Sequence, residues 1–205
     1  MNLSTRFSTI LVTAFCCGVL LGTSAEASAK PTGHSLRKQE PEINKHRDTT
    51  GEYLEIKSLT INGKQPFLGK TAALFKVLGL MNRLVEPDKN DVCNSYYDKP
   101  FRYAYFNNSL VEVYRDTAAI RSLDLRQYPK LELRTATFRL SHKTTLADLA
   151  MVFPESVKAQ STTNMAGMGN ITTVSIATKA QATEDAWLLF FENGRLIRID
   201  YWMPC

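Results

Sequence analysis

Residues 187–201 read WLLFFENGRLIRIDY, the pattern of two strands joined by a tight turn. On the second limb apolar and charged residues alternate, which is the period of two that half-buried strands show. The apolar members of this alternation are Ile197, Ile199 and Tyr201, and the charged members on the other face are Arg198 and Asp200. Asn193 and Gly194 tolerate positive φ, as a two-residue turn requires. We therefore predict a β-hairpin at this end of the chain.

The same design occurs earlier, because residues 105–113 read YFNNSLVEV. Each predicted hairpin follows a strand and a short amphipathic stripe, and each stripe has the i, i+3, i+4, i+7 spacing of a helix. The stripes are Thr71, Leu74, Phe75 and Leu78, ended by Gly79, and Leu146, Leu149, Ala150 and Phe153, ended by Pro154. Thr145 and Asp148 have the spacing of a capping box.

We therefore predict an α+β fold made of two tandem repeats, residues 52–128 and 129–205. Each repeat contributes a strand, a helix and a group of antiparallel strands, with the helices on one face of the sheet. A helix on only one face leaves the opposite face to solvent or to a partner.

The first 29 residues predict a secretory signal peptide. Arg6 precedes an apolar run at residues 10–21, and Ala27, Ser28 and Ala29 form an A-x-A cleavage site. A lipid anchor is disfavoured because the bulky Phe15 stands before Cys16, where a lipobox needs a small residue. No later apolar run approaches the length of about 20 residues that a membrane span needs. We expect a periplasmic protein, cleaved after Ala29 and without a stable membrane span.

Residues 30–51 are rich in charged and polar residues and hold few large aliphatics, so we expect a flexible leader. The net charge of +5 is modest, and the basic residues are scattered among acidic ones rather than grouped in blocks. This pattern is typical of a solvated surface and argues against nucleic-acid binding.

Residue types suited to catalysis are sparse beyond the leader. His142 is the one histidine of the predicted folded part, and we expect it to make a structural hydrogen bond. Gly69, Lys70 and Thr71 resemble the end of a phosphate-binding loop, but the first glycine of that motif is absent. We expect no enzymatic activity, no metal and no cofactor.

Aromatic side chains concentrate on or beside the two predicted hairpins, and half of them should face away from the core. Exposed aromatics near arginine are typical of protein interfaces. The loop at residues 160–170 adds two methionines that could adapt to an apolar surface. The predicted partner-binding residues are Arg198, Trp202, Trp187, Tyr103, Met165 and Met168.

Short motifs in both halves resemble the small periplasmic modules of the BamE (SmpA/OmlA) and beta-lactamase-inhibitor-protein type. They are Leu68 to Thr71 with Leu78 and Gly79, and Thr144, Thr145, Phe153 and Pro154 with Phe191 to Gly194 and Leu196. The resemblance implies tandem modules whose concave sheet grips another protein without catalysis. The chain departs from that pattern in having a strand before each helix and in its poor lipobox.

We therefore expect a protein that binds and neutralises another protein, as an inhibitor or a toxin-immunity factor does. An accessory of outer-membrane assembly is the alternative function, and a hydrolase with a concealed site is a third.

The first testable prediction concerns Cys93 and Cys205, the two cysteines beyond the predicted leader. We expect them to form a disulfide because the periplasm is oxidising. Closing a loop of about 110 residues should stabilise the fold by about 4 to 5 kcal/mol in the chain-entropy model. Thiol titration of the denatured mature protein should find no free thiol, and two free thiols per chain would contradict the pairing.

Overall fold

The structure is a computed structural model that describes residues 51–88, 95–165, 169–181 and 183–204. The described helices are α1 Thr71–Leu78, α2 Leu146–Ala150 and α3 Pro154–Lys158, with 3-10 turns at Ile56–Ser58 and Leu125–Gln127. The strands are β1 Thr60–Ile61, β2 Gln65–Pro66, β3 Leu68–Lys70, β4 Arg83–Val85, β5 Arg102–Phe106, β6 Ser109–Tyr114, β7 Thr117–Asp124, β8 Leu133–Arg134, β9 Arg139–Leu140, β10 Ser161–Met165, β11 Gly169–Ala177, β12 Ala186–Glu192 and β13 Arg195–Trp202.

These strands form two antiparallel sheets. The larger, nine-stranded sheet has the order β10-β11-β12-β13-β7-β6-β5-β4, and β3 also pairs with β7. The smaller sheet has the order β2-β1-β8-β9. The fold is therefore mainly β with few helices, which agrees with the α+β class at this coarse level.

Both hairpins predicted from the sequence are confirmed. β12 pairs with β13 around Asn193 and Gly194, whose φ angles of 50° and 74° are the positive values that this turn needs. β5 pairs with β6 around Asn107, which has a φ of 52°. Asparagine and glycine adopt this left-handed conformation at low cost.

One detail of the β12–β13 hairpin was predicted wrongly. The alternation places Ile197 on the same face as Ile199, but the register shifts by one residue between Phe190 and Phe191. Such a bulge turns the residues on its two sides to opposite faces. Ile197 consequently packs with Phe190, whereas Ile199 packs in the main core.

The main core is formed by side chains of the large sheet, the helices and the small sheet. Leu74 and Leu78 of α1 pack in this cluster, as do Leu149 of α2 and Phe153. The stripes at 71–78 and 146–153 therefore point inward, as their spacing predicts. Gly79 ends α1 with a φ of 86°, and the capping box of Thr145 and Asp148 starts α2.

Several predicted element bounds were wrong. The strand expected before α1 is a 3-10 turn followed by the two-residue β1, and the strand expected before α2 is the β8–β9 pair. Pro154 begins α3, where a proline at the first helical position loses no hydrogen bond. The loop expected at residues 160–170 contains β10 and the start of β11. The signal peptide, the leader up to residue 50 and both cysteines of the predicted disulfide lie outside the described residues.

The second prediction tests the core position of Phe153. Its side chain is 3 % exposed and its ring contacts Phe138 edge-on at 5.2 Å. Phe153→Ala should lower the free energy of unfolding by about 3 to 5 kcal/mol, as large-to-small core changes do. Met151→Ala is the control, because Met151 is 79 % exposed and should matter little. Equal urea midpoints for the two variants would place Phe153 outside the core.

Candidate protein-binding face

The candidate site is the face of the large sheet that points away from the main core, called here the outer face. Two smaller apolar clusters lie on it, and no residue of α1, α2 or α3 belongs to either. The cluster from the second half consists of Ile171, Ala186, Leu188, Phe190 and Ile197, with Trp202 packed against it. The cluster from the first half consists of Phe101, Tyr103 and Tyr114, with Val85, Tyr96, Tyr97, Tyr105 and Leu110 packed against it.

Arg198 is held in one orientation on this face. It lies opposite Phe190 of β12 and opposite Asp124 of β7 in the register of the sheet. Its Nε and one terminal nitrogen each donate a hydrogen bond of 2.7 Å to the carboxylate of Asp200. Its guanidinium carbon lies 5.7 Å from the centre of the Phe190 ring. Arg198 is half-buried, so the guanidinium is both oriented and accessible.

Trp202 completes the accessible part of the second half. It lies opposite Ala186 at the end of β13 and packs against the Phe190 cluster while remaining half-buried. Arg198 and Trp202 share the outer face because they are four residues apart on one strand.

The first half also pairs cations with aromatic rings. The guanidinium carbon of Arg83 lies 3.9 Å from the centre of the Tyr105 ring, across the β4–β5 pair. Lys99 Nζ lies 5.8 Å from the centre of the Tyr97 ring. Sequence reasoning missed both pairs. The aromatic clustering around residues 96–105 was the available signal, but β4 was not predicted as a strand.

A buried carboxylate lies beneath the aromatic cluster of the first half. Glu112 lies opposite Tyr103 on β6, and its side chain is 1 % exposed. Its Oε2 accepts hydrogen bonds from the Tyr96 backbone N–H and the Tyr114 hydroxyl. Its Oε1 lies 3.5 Å from a terminal nitrogen of Arg121. Burial raises the pKa of Glu112 above its usual value, although these contacts oppose the rise.

These contacts fix the segment around Tyr96 on the sheet. The Tyr97 backbone N–H donates to the Tyr114 hydroxyl, and the Tyr97 ring meets the Tyr114 ring edge-on at 5.0 Å. The Tyr96 ring lies 5.5 Å from Tyr201, which belongs to the other half of the chain. Burial raises the pKa of Tyr96 to about 12, so its hydroxyl stays protonated at neutral pH.

A second buried carboxylate, that of Asp124, has a pKa shifted in the opposite direction. Asp124 is fully buried at the end of β7, where it accepts hydrogen bonds from Arg126 and from the Asn108 side chain. Burial alone would raise the pKa of Asp124, but the hydrogen bonds from Arg126 and Asn108 outweigh it and hold the pKa below its usual value. The charged form of Asp124 therefore stabilises the folded state.

The remaining predicted binding residues have different environments. Trp187 is fully buried and donates a hydrogen bond of 2.6 Å to the Leu54 carbonyl, so its prediction as a surface contact was wrong. Tyr103 is 7 % exposed and packs edge-on against Phe101, which leaves little of it for a partner. Met168 lies outside the described residues. The backbone of Met165 is the last position of β10, and its side chain is not described.

The described residues contain no group of histidine, cysteine, aspartate or glutamate side chains that could hold a metal ion. His142 Nδ1 lies 3.0 Å from the Leu196 carbonyl oxygen, a hydrogen bond of the structural kind expected for it.

Comparisons with protein-family models, with curated proteins and with solved structures found no match to this chain. Within the described part of the chain, no helix combines the length and apolar character needed to span a membrane.

The third prediction uses the opposite pKa shifts of Glu112 and Asp124. A raised folded-state pKa stabilises the fold at low pH, and that stabilisation is lost as pH rises through the folded pKa. Wild type should therefore lose stability relative to Glu112→Gln as pH rises from about 4 to about 8. Urea unfolding of both proteins across this range measures the difference, and any constant effect of the substitution leaves its slope unchanged.

Asp124→Asn is the matched comparison with the opposite sign. A lowered folded-state pKa stabilises the fold above the unfolded pKa, and that stabilisation is lost as pH falls through the folded pKa. Wild type should therefore gain stability relative to this variant as pH rises from acid conditions. Slopes of the same sign for both variants would contradict the assignment of the two environments.

Proposed function

We propose that this protein is a non-enzymatic, periplasmic protein-binding protein that uses the outer face to neutralise another protein, as an inhibitor or toxin-immunity factor does. The observation that carries the proposal is the set of oriented cation–aromatic pairs on this face, in both halves of the sheet. Arginine, tyrosine and tryptophan are the residues in which binding hot spots are enriched.

We further propose that the two halves are tandem repeats with their helices on the face opposite the binding surface. The strand order supports this, because β4 to β7 and β10 to β13 are each four consecutive strands in sequence and space, joined where β7 meets β13. A helix precedes each group, α1 in the first half and α3 in the second. The outer face would then be one continuous surface built by both repeats.

Preorganisation supports a binding role for Arg198. Fixing a long side chain at an interface costs about 0.5 to 1.5 kcal/mol of entropy. The two hydrogen bonds to Asp200 and the contact with Phe190 already restrict the Arg198 side chain in the free protein, which reduces that cost. Arg83 is similarly placed over Tyr105. A partner would therefore bind a surface on which the Arg198 and Arg83 side chains are already oriented.

The fourth prediction tests the outer face by substitution. The immobilised protein should capture a partner from periplasmic extract, and mass spectrometry should identify it. Arg198→Ala and Trp202→Ala should each weaken binding of that purified partner by at least about tenfold, which is about 1.4 kcal/mol. Calorimetric titration measures the affinity, and circular dichroism checks that the fold is kept.

Arg134→Ala is the matched control. Arg134 also binds a carboxylate two residues away, with its Nε 2.8 Å from Glu132 Oε2, but it lies in the small sheet. Its loss should leave the affinity unchanged. A partner that binds the Arg198→Ala, Trp202→Ala double variant as tightly as wild type would place the binding surface elsewhere.

A further inference from the structure

β10 forms an open edge of the large sheet. Its five residues pair with β11 along their whole length, from Ser161 opposite Thr173 to Met165 opposite Gly169. β10 ends the strand order, and none of the described residues pairs with its other side. Along that side, an edge strand presents backbone N–H and C=O groups that a further strand can bind.

β10 itself lacks the sequence features that usually block strand addition. Native edge strands are protected by charged side chains, proline, bulges or very short length. Residues 161–165 read STTNM, with no charge and no proline, and the register with β11 is uninterrupted. The opposite edge strand, β4, has three residues and carries the exposed Arg83. The two edges of the sheet therefore differ in their readiness to accept a strand.

We propose that a second copy of this chain pairs through this edge, antiparallel and with the two-fold axis at Thr163. This pairing places Thr163 opposite the partner's Thr163 and Thr162 opposite the partner's Asn164. Opposed threonines are favourable cross-strand pairs, and no like charges meet. This inference is independent of the function proposed above.

The facing of the side chains requires an axis through a residue, and Thr163 is the central residue of β10, so an axis there pairs all five residues of the strand. Thr163 lies opposite Ile171, a member of the outer-face cluster, so Thr163 belongs to the outer face. Directly opposed residues in an antiparallel pair share a face, so an axis at Thr163 continues the outer face of one copy into that of the other. The sheets of both copies become one, with both outer faces on the same side.

A second copy fits this edge because the strand is complementary to itself. An interface made mainly by one strand pair is smaller than the roughly 1,200 Å² of stable complexes. The dimer should therefore dissociate on dilution. The modest net charge of +5 opposes association only weakly, because salt screens exposed charges beyond about 8 Å at physiological ionic strength.

Sedimentation velocity of the purified protein over a concentration series tests the proposal. Wild type should convert from monomer to dimer as concentration rises. Thr163→Lys and Thr163→Glu should each weaken self-association by at least about tenfold, because like charges would stand directly opposite each other. An equimolar mixture of the two variants should restore the dimer, because opposite charges then face each other across the axis. Thr137→Lys introduces the same charge at an exposed position outside the strands and should dimerise like wild type.

Three results would overturn the proposal. Wild type could remain monomeric throughout the series. This would be the result if β10 accepts an extended peptide of another protein instead of a second copy. The Thr163 variants, folded by circular dichroism, could dimerise as well as wild type, which would place the interface elsewhere. A mixture that fails to restore the dimer would reject the axis at Thr163.

Discussion

The pairing of β13 with β7 is the contact on which the architecture depends. Three opposed pairs, Arg198 with Asp124, Ile199 with Leu123 and Asp200 with Ser122, join the strands of the two halves into one sheet. Strands from both halves thereby share one core, in which Leu123 and Ile199 are both buried. Beyond Ser122 the two strands part, and β3 pairs with β7 at residues 117–119 instead. Without this junction the halves would be two small sheets with exposed edges.

Trp187 connects β12 to segments near the start of the described fold. Its indole N–H binds the Leu54 carbonyl, 133 residues away, and its ring meets Phe67 and Tyr201 edge-on. The Leu54 N–H in turn binds the Ala177 carbonyl of β11. The start of the described fold is therefore hydrogen-bonded to β11 and β12. These contacts between distant parts of the chain support a rigid outer face.

Local patterns predicted the local elements well. Asn193 and Gly194 specify their turn through backbone conformation, and the spacing of Leu149 and Phe153 marks a buried stripe. In both cases neighbouring residues contain the required information. Arg83 and Tyr105 could not be paired in this way, because their contact depends on the register between β4 and β5. The burial of Trp187 was missed for a similar reason, since Leu54 and Phe67 cover it from far along the chain. The bulge at Phe190 cannot be recognised from the alternation of apolar and charged residues, although it determines the face on which Ile197 lies.

Site-specific photo-crosslinking in the producing cells tests the central claim most directly. A photoreactive amino acid at position 202 would lie on the outer face, and one at position 151 would replace the exposed Met151 at the end of α2. The account predicts a covalent adduct with another protein from position 202 and none from position 151. Adducts from position 151 alone would contradict it, because the partner would then contact the helices rather than the outer face of the sheet.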